Sequence, residues 1–503
     1  MRLRRVLALL VFAALPGLAL GAPPDPKQIK SAPRTAALRP AKTVAPRRLV
    51  APVGRIKVPA RQPAKQRLTR GNPLDLLPGG GKGQIKVVVL GAAVDEKTID
   101  PGLTRRLQAL GKRVAKEGGV LITGAAPGVP QVAARAAYEA GAVTIGVSPA
   151  RSLADHNQNF KMPTESLSIL ELTGAGRGMG FIEREAPLIE YGDILVYANG
   201  RSGTLGELVA GMHEPKVIAL LEGSGGVTAE ARRKILPHLG QGKAVVVADS
   251  DPERLMRKAI AAHKELVRAG REGKAGPVVP AVTPGGKTKL PPMQRGSLFK
   301  GQAPAEREVY AFFGHDEGLT GADRTKVDQL VTLLSAQHPG RMPVLVVPTR
   351  PGLTAEVAKK AQAKGVRTLG ISPARTKAEH VAGGQSVDGL GRIQLTGKGA
   401  GVGEFAAQRH VIEHANVVFV AGGDYKSLGG TIFAMYHDTV VAVLETEGGG
   451  MSGKLRGEIL TTFDKKPFAT MVFDSDPVRL YHKAIEASDA IRARQRGSYI
   501  APE

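Results

Sequence analysis

Gly146-Val147-Ser148-Pro149-Ala150-Arg151, leading to His156, and Gly370-Ile371-Ser372-Pro373-Ala374-Arg375, leading to His380, are two versions of one segment. Other stretches return in the same order and at a nearly constant offset. Leu172-Thr173-Gly174 recurs as Leu395-Thr396-Gly397. Asp249-Ser250-Asp251-Pro252, with Arg254-Leu255 behind it, recurs as Asp474-Ser475-Asp476-Pro477 with Arg479-Leu480. A period of this size marks a duplicated domain rather than a solenoid.

Outward from the repeat, each copy alternates strand and helix signals. In the first copy the apolar runs 87–90, 120–123, 143–147, 194–198, 217–221 and 244–248 read as buried strands, with helical patterns over 101–117 and 130–140. The second copy offers 309–313, 344–347, 368–371, 417–421, 440–444 and 470–473. Continuous apolar strands separated by helices imply right-handed crossovers and a parallel sheet. The expected fold is α/β: two tandem Rossmann-like three-layer domains, at 84–266 and 306–490, each a parallel sheet flanked by helices.

The remaining segments are of another kind. Arg2, Arg4 and Arg5 precede an apolar run over 6–15, and Ala19-Leu20-Gly21 is a small-x-small site, so residues 1–21 read as a signal peptide. The run is too short to span a bilayer securely, although an uncleaved anchor is the alternative. The expected location is exported, periplasmic or secreted. Residues 22–83 are rich in Pro and Ala and hold about fourteen Lys and Arg against two acids, which predicts a disordered basic segment. Residues 267–305 read as a linker and 491–503 as a tail. The net charge of +25 therefore lies largely outside the domains. It suits a solvated spacer or a tether to an anionic surface, not a specific nucleic-acid readout. The absence of Cys excludes disulfides, zinc thiolates and thiol catalysis. An aromatic content of 4% without Trp argues against base-stacking or carbohydrate surfaces.

Three glycine-marked loops follow strands in the first copy: Gly91-Ala92-Ala93, Gly124-Ala125-Ala126-Pro127-Gly128, and Asn199-Gly200-Arg201-Ser202-Gly203-Thr204 with Glu207 beyond. In a parallel sheet, ligands sit at the carboxyl ends of the strands, where glycine admits a phosphate and the next helix offers free N–H groups. Taken singly, each loop is also explained as a tight turn.

These residues resemble the SLOG superfamily, which includes the LONELY GUY phosphoribohydrolases and the molybdenum-cofactor carrier proteins. Ile122-Thr123-Gly124 to Gly128, with Ala134 and Gly141, is similar to its second loop and helix. Gly178-Met179-Gly180, Arg184 and Asp193 resemble its Arg helix, and Gly200 to Glu207 its Gly-Gly-x-Gly-Thr-x-x-Glu signature. The resemblance implies that Gly91, Gly124, Gly128, Gly200, Arg201, Ser202, Gly203 and Thr204 surround a phosphate. It also implies that Arg184 is its cationic partner and Glu207 the catalytic carboxylate in any hydrolysis of an N-glycosidic bond. The alternatives are a surface ion pair of Arg184 with Glu183 or Glu190 and an exposed helix acid at 207. Arg201 stands where the signature has its second Gly, Asn199 where the hydrolases have Pro, and Glu185 where they have Lys or Asn.

The expected ligand is nucleotide-like or otherwise phosphorylated, a molybdopterin-like compound included, with no cofactor required and no metal. The alternatives are a nucleoside 5'-monophosphate phosphoribohydrolase and an interaction scaffold without catalysis. In the second copy Ala407 replaces Arg184, Thr431 replaces Glu207, Pro348 replaces Gly124 and Asn416 replaces Asp193, which predicts a degenerate site. Arg409 leaves room for a rewired anion site. The second copy is expected to pair with the first inside one chain, or the chain to form a homodimer. His156 and His380 recur without partners at metal-ligand spacing and read as structural.

Overall fold

In the computed structural model the described residues are 66–174, 179–212, 214–236, 243–271, 291–295, 307–316, 319–335, 342–396, 402–423, 425–435, 437, 439–448, 451–454, 457 and 469–497. The stretch read as a signal peptide, most of that read as a basic segment, and the larger parts of that read as a linker lie outside them. Among the described residues no helix is long and apolar enough to cross a membrane.

The first copy carries strands β1 (Arg67–Thr69), β2 (Lys86–Gly91), β3 (Val120–Thr123), β4 (Val143–Ser148), β5 (Ile169–Leu172), β6 (Ile194–Ala198), β7 (Val217–Leu221) and β8 (Val245–Asp249). Its helices are α1 (Pro101–Lys116), α2 (Val129–Glu139), α3 (Met179–Tyr191), α4 (Ser202–Met212), α5 (Gly226–Glu230) and α6 (Pro252–Arg271). The second copy follows with β9 (Met293–Arg295), β10 (Arg307–His315), β11 (Met342–Pro348), β12 (Arg367–Ser372), β13 (Arg392–Leu395), β14 (Val417–Gly422), β15 (Val440–Leu444) and β16 (Thr470–Asp474). Its helices are α7 (Gly321–Leu334), α8 (Leu353–Ala363), α9 (Lys377–Ala382), α10 (Val402–His414), α11 (Tyr425–Met435), α12 (Met451–Lys454) and α13 (Pro477–Gly497).

Both sheets have eight strands, in the orders β1-β5-β4-β3-β2-β6-β7-β8 and β16-β15-β14-β10-β11-β12-β13-β9. Read from opposite edges these are the same order, and every pairing is parallel. The fold is thus two Rossmann-like domains in tandem. In each, the chain leaves the central strand toward one edge and then returns to its other side. The switch point lies between β2 and β6, where such sheets open a crevice.

The elements form for local reasons. Asp100 caps α1, its Oδ1 accepting the Leu103 N–H at 2.9 Å, and Pro101 opens the helix. Leu103, Leu107, Leu110 and Val114 make its buried stripe. Gly111 allows α2 to come close, because a Cβ there would stand 2.3 Å from the Ala133 carbonyl oxygen. The repeated Asp-Ser-Asp-Pro motif is a clasp. Asp249 ends β8 and accepts from Arg254 at 3.0 Å and Lys258 at 2.8 Å on α6. Asp474 is held in the same way by Arg479 and Lys483.

The sequence reading differs from the structure mainly at the sheet edges. Residues 67–81, assigned to the disordered segment, include β1 and two short 3-10 turns, Pro73–Leu76 and Pro78–Gly81. β1 pairs with β5, and Leu77 is buried in the core. The stretch assigned to the linker holds the end of α6 and also β9, which pairs with β13. These strands were hidden because β1 and β9 have three residues each, in basic or Pro-rich surroundings. β5 and β13 carry a polar residue in the middle of an apolar run, Glu171 and Gln394.

One face of the first sheet packs on α1, α2 and α6, and one face of the second on α7, α8 and α13. The other two faces share a single apolar cluster. It runs from Val88 and Ile122 through Leu205, Leu208 and Val209 of α4 to Ile432 and Phe433 of α11, and on to Val309 and Phe313. α3 and α4 of the first copy pack on α10 and α11 of the second. The expected pairing of the copies within one chain is therefore present.

Candidate functional site

The three predicted loops meet at the switch point of the first sheet, because Gly91 ends β2, Gly124 follows β3 and Asn199-Gly200 follows β6. Two of the glycines are required by the protein's own packing. A Cβ on Gly91 would lie 2.2 Å from the Ala198 carbonyl oxygen. Gly128 caps α2 with φ +83°, and a Cβ there would lie 2.7 Å from the carbonyl oxygens of Ala92 and Val94. Gly200, at φ +101°, makes room for Thr204, whose side chain stands 2.5 Å from its missing Cβ position. Thr204 is buried near the start of α4, while Arg201 and Gly203 are half-buried; the Ser202 side chain lies outside the described residues.

A loop that the sequence reading passed over braces the β6 end. Ser224 Oγ accepts the Asn199 N–H at 2.7 Å, and Thr228 Oγ1 donates to the Asn199 carbonyl at 2.6 Å. The Val227 N–H donates to the Gly200 carbonyl at 2.9 Å. The run Gly223-Ser224-Gly225-Gly226 after β7 was the available signal. Asn199 adopts φ +56° and Ala125 φ +51°. Both are left-handed conformations that side chains adopt at a cost. Proline, locked near −65°, cannot take the Asn199 conformation, which explains this departure from the hydrolase pattern.

Above these loops α3 places Arg184. Its Nη1 donates to the Gly124 carbonyl at 3.1 Å, and its Nη2 lies 3.9 Å from Glu207 Oε1 on α4. A Cβ at 124 would come within 3.0 Å of the guanidinium carbon, so the glycine leaves space for the arginine. In the second copy both members of that pair have changed, to Pro348 and Ala407. Glu207 is buried, not exposed on its helix. Burial raises its carboxyl to about 7, against the pull of Arg184. Glu185 is buried as well, and burial, then Glu207, hold its carboxyl well above the usual range. One cation at 3.9 Å is worth on the order of 4 kcal/mol in a protein-like dielectric. Each buried carboxylate costs several kcal/mol in lost hydration. One arginine therefore cannot keep both carboxyls ionised.

Asp193, at the end of the Arg helix, is structural. Its Oδ2 accepts the Lys86 N–H at 2.9 Å and pairs with Lys86 Nζ at 3.0 Å. Asn416 keeps the backbone contact in the second copy, to the Val309 N–H at 2.8 Å. There α11 matches α4 with Tyr425 at the place of Ser202, so Gly430, not the expected Thr431, stands where Glu207 does, and Thr431 donates to the Ser427 carbonyl of its own helix at 2.8 Å. Arg409, a candidate for a rewired anion site, donates to Glu413 at 2.6 and 2.9 Å. The loop at Gly352 faces a carboxylate of its own chain: a Cβ on Gly352 would meet Asp316 Oδ2 at 2.7 Å, and Arg324 holds Asp316.

The repeated histidines are buried partners of the repeated serines. Nδ1 of His156 lies 2.8 Å from Ser148 Oγ, and Nδ1 of His380 lies 2.9 Å from Ser372 Oγ. Each serine Oγ also accepts a backbone N–H, from Ala150 and Ala374 respectively. Among the described residues no group of three His, Asp or Glu side chains is placed to hold a metal ion.

A doubly wound parallel sheet with glycine loops, the start of α4 and an Arg184–Glu207 pair at its switch point defines a Rossmann-like domain, a class that takes its ligands at the carboxyl ends of the strands. Residues 84–256, the greater part of the first copy, match the model of the SLOG cluster4 family. Solved structures similar to the chain include the molybdenum cofactor binding protein of Rippkaea orientalis, with 20% identity, 36% of this chain and 99% of that one covered, and a TM-score of 0.28. The molybdenum cofactor carrier protein of Chlamydomonas reinhardtii has 25% identity, coverage of 37% and 99%, and a TM-score of 0.27. DNA processing protein A of Streptococcus pneumoniae has 17% identity, coverage of 35% and 62%, and a TM-score of 0.26. No curated protein matches the chain.

Proposed function

We propose that the first copy binds a nucleotide-like or phosphorylated small ligand at the switch point between β2 and β6. The observation that carries this reading is the position of Arg184, bonded to the Gly124 carbonyl and 3.9 Å from Glu207. Residues from three separate loops and two helices meet there. Gly200, Arg201, Ser202, Gly203 and Thr204 would receive the phosphate at the start of α4, with Arg184 as counter-charge. The two left-handed residues, Ala125 and Asn199, lie in the same loops, and strain of this kind collects at binding sites.

A second reading, hydrolysis of an N-glycosidic bond, is favoured by Glu207, a buried carboxyl beside a cation with its proton held to about neutral pH. Such a group can give a proton to a leaving base. From the sequence, we also propose that the protein works outside the cytoplasm, with its basic segment against an anionic surface.

The test is a thermal-shift screen of nucleoside monophosphates and molybdopterin-like compounds on the full chain, since the first copy alone would expose the α4 face. A ligand at about a hundred times its dissociation constant adds about 2.7 kcal/mol of stability. Stabilisation of wild type that is lost in Arg184→Ala supports the site, and release of free base, abolished in Glu207→Gln, would make it a hydrolase. A folded chain that none of these compounds stabilises leaves a scaffold.

A further inference from the structure

The helix layer on the side of the first sheet away from the second copy is unevenly charged. α1 carries five cations and no acid, and α6, which packs against it, carries six cations against Glu253 and Glu265. Both of those acids are already paired, with Arg113 and Arg268. α2, the third helix of the layer, has one cation, Arg135, and it is paired with Glu96. Arg105, Lys112 and Lys116 on α1 and Arg257 and Lys264 on α6 are exposed and have no hydrogen bond or ion pair among the described residues. Residues seven and eleven apart return to one side of a helix, so the three on α1 form one row and the two on α6, continued by Arg268, another. The apolar stripes of both helices face the sheet, so both rows point away from it.

The second copy supplies the comparison. Its α7 repeats the buried positions of α1, and α13 follows α6 from the clasp onward. Cations with a partner inside the fold persist. Arg254 and Lys258 return as Arg479 and Lys483. Arg106, which donates to the Glu222 carbonyl at 3.1 Å, returns as Lys326, which reaches Glu447 at 3.1 Å. Cations without such a partner do not persist. Arg105 and Lys112 become Thr325 and Thr332, and Arg257 and Lys264 become His482 and Asp489. Folding and solubility make the same demands on both copies, so the free cations of the first answer to something outside the fold.

We propose that this face of α1 and α6 is where the folded first copy lies against an anionic lipid bilayer, an inference that rests on the reading that the basic segment meets an anionic surface. The rows are complementary in charge to the headgroups of acidic lipids, and each cation near such a surface adds to binding. Two helices side by side offer a broad field of charge, with no element projecting to enter a groove of duplex nucleic acid. Neither helix carries Phe, Tyr or Trp on which unpaired bases could stack. Because the apolar stripes are buried against the sheet, none is left to insert into the bilayer, and the contact is electrostatic and weakens with salt.

The test is sedimentation of the full chain with vesicles of phosphatidylglycerol and phosphatidylcholine in equal parts, at rising salt. A helix variant combines Arg105→Gln, Lys112→Gln, Lys116→Gln, Arg257→Gln and Lys264→Gln. A segment variant removes the same charge elsewhere, by Arg47→Gln, Arg48→Gln, Arg55→Gln, Lys57→Gln and Arg61→Gln. The five helix cations have no partner in the fold, so the thermal midpoint of the helix variant should not fall. Its vesicle binding should weaken about fivefold for each cation that meets a headgroup, on the order of a hundredfold or more in all, and by more than that of the segment variant. A helix variant that binds like wild type, or that loses no more than the segment variant, overturns the proposal. So does a wild type that ignores the vesicles, or that prefers duplex DNA at equal phosphate. A segment variant that binds like wild type, beside a helix variant that does not, removes the basic segment from the contact and supports the helix face.

Discussion

At the scale of single residues, Gly124 and Arg184 act as a pair, the glycine leaving the space that the guanidinium fills. In Gly124→Ala the new methyl meets the end of a flexible side chain, so stability should change by less than about 1 kcal/mol while ligand binding falls with the displaced arginine. Denaturant unfolding and the thermal-shift screen measure the two effects. The buried histidines report on pH. Burial lowers the affinity of His156 and His380 for a proton. Their contribution is complete above the unfolded value near 6.5 and is lost as pH falls through the lower folded value. The thermal midpoint of wild type should thus drop, relative to a His156→Asn, His380→Asn double variant, as pH falls from about 7 to about 5. This sign is opposite to that of the buried Glu207 carboxyl, which burial raises to about 7, so the two effects separate.

At the scale of elements, the turn from β6 into α4 depends on a backbone that most residues resist. Asn199→Gly should be tolerated within about 1 kcal/mol, since glycine takes positive φ freely. Asn199→Pro, which brings back the residue of the hydrolase pattern, should cost about 2–3 kcal/mol in wrong backbone angle and the lost N–H to Ser224. Urea titration of the two variants decides it. A proline that leaves the midpoint unchanged would mean that the left-handed turn is not needed. The Asp249 and Asp474 clasps belong to this scale too. They explain the repeated motif by tying the last strand of each sheet to the helix that follows, without reference to any ligand.

For the molecule as a whole, the shared cluster between the sheets makes the two copies one folding unit. Scanning calorimetry should show a single transition for both copies. Phe433→Ala, which empties a fully buried site on the second copy, should cost about 3–5 kcal/mol and lower that transition for the first copy as well. Two transitions in wild type, with only the lower one moved by the substitution, would show that the copies unfold independently. The second copy thus has a part to play as the surface that buries α3 and α4.

The duplication, the parallel α/β class, six of the eight strands of each copy and the loops at the strand ends were all legible in the sequence. They depend on local apolar runs and glycines, which are properties of neighbouring residues. The resemblance also pointed to Arg184 and Glu207. It could not show that they approach to 3.9 Å, or that Glu207 and the neighbouring Glu185 are both buried. Those facts arise where α3 and α4 pack against a second copy far along the chain, and no local pattern encodes that contact. The edge strands β1 and β9 escaped for the same reason, since they are strands only because β5 and β13 offer them partners. The repeated serine and histidine were visible as letters, but only the tertiary structure, by closing apolar surface over both rings, made them buried partners rather than surface groups.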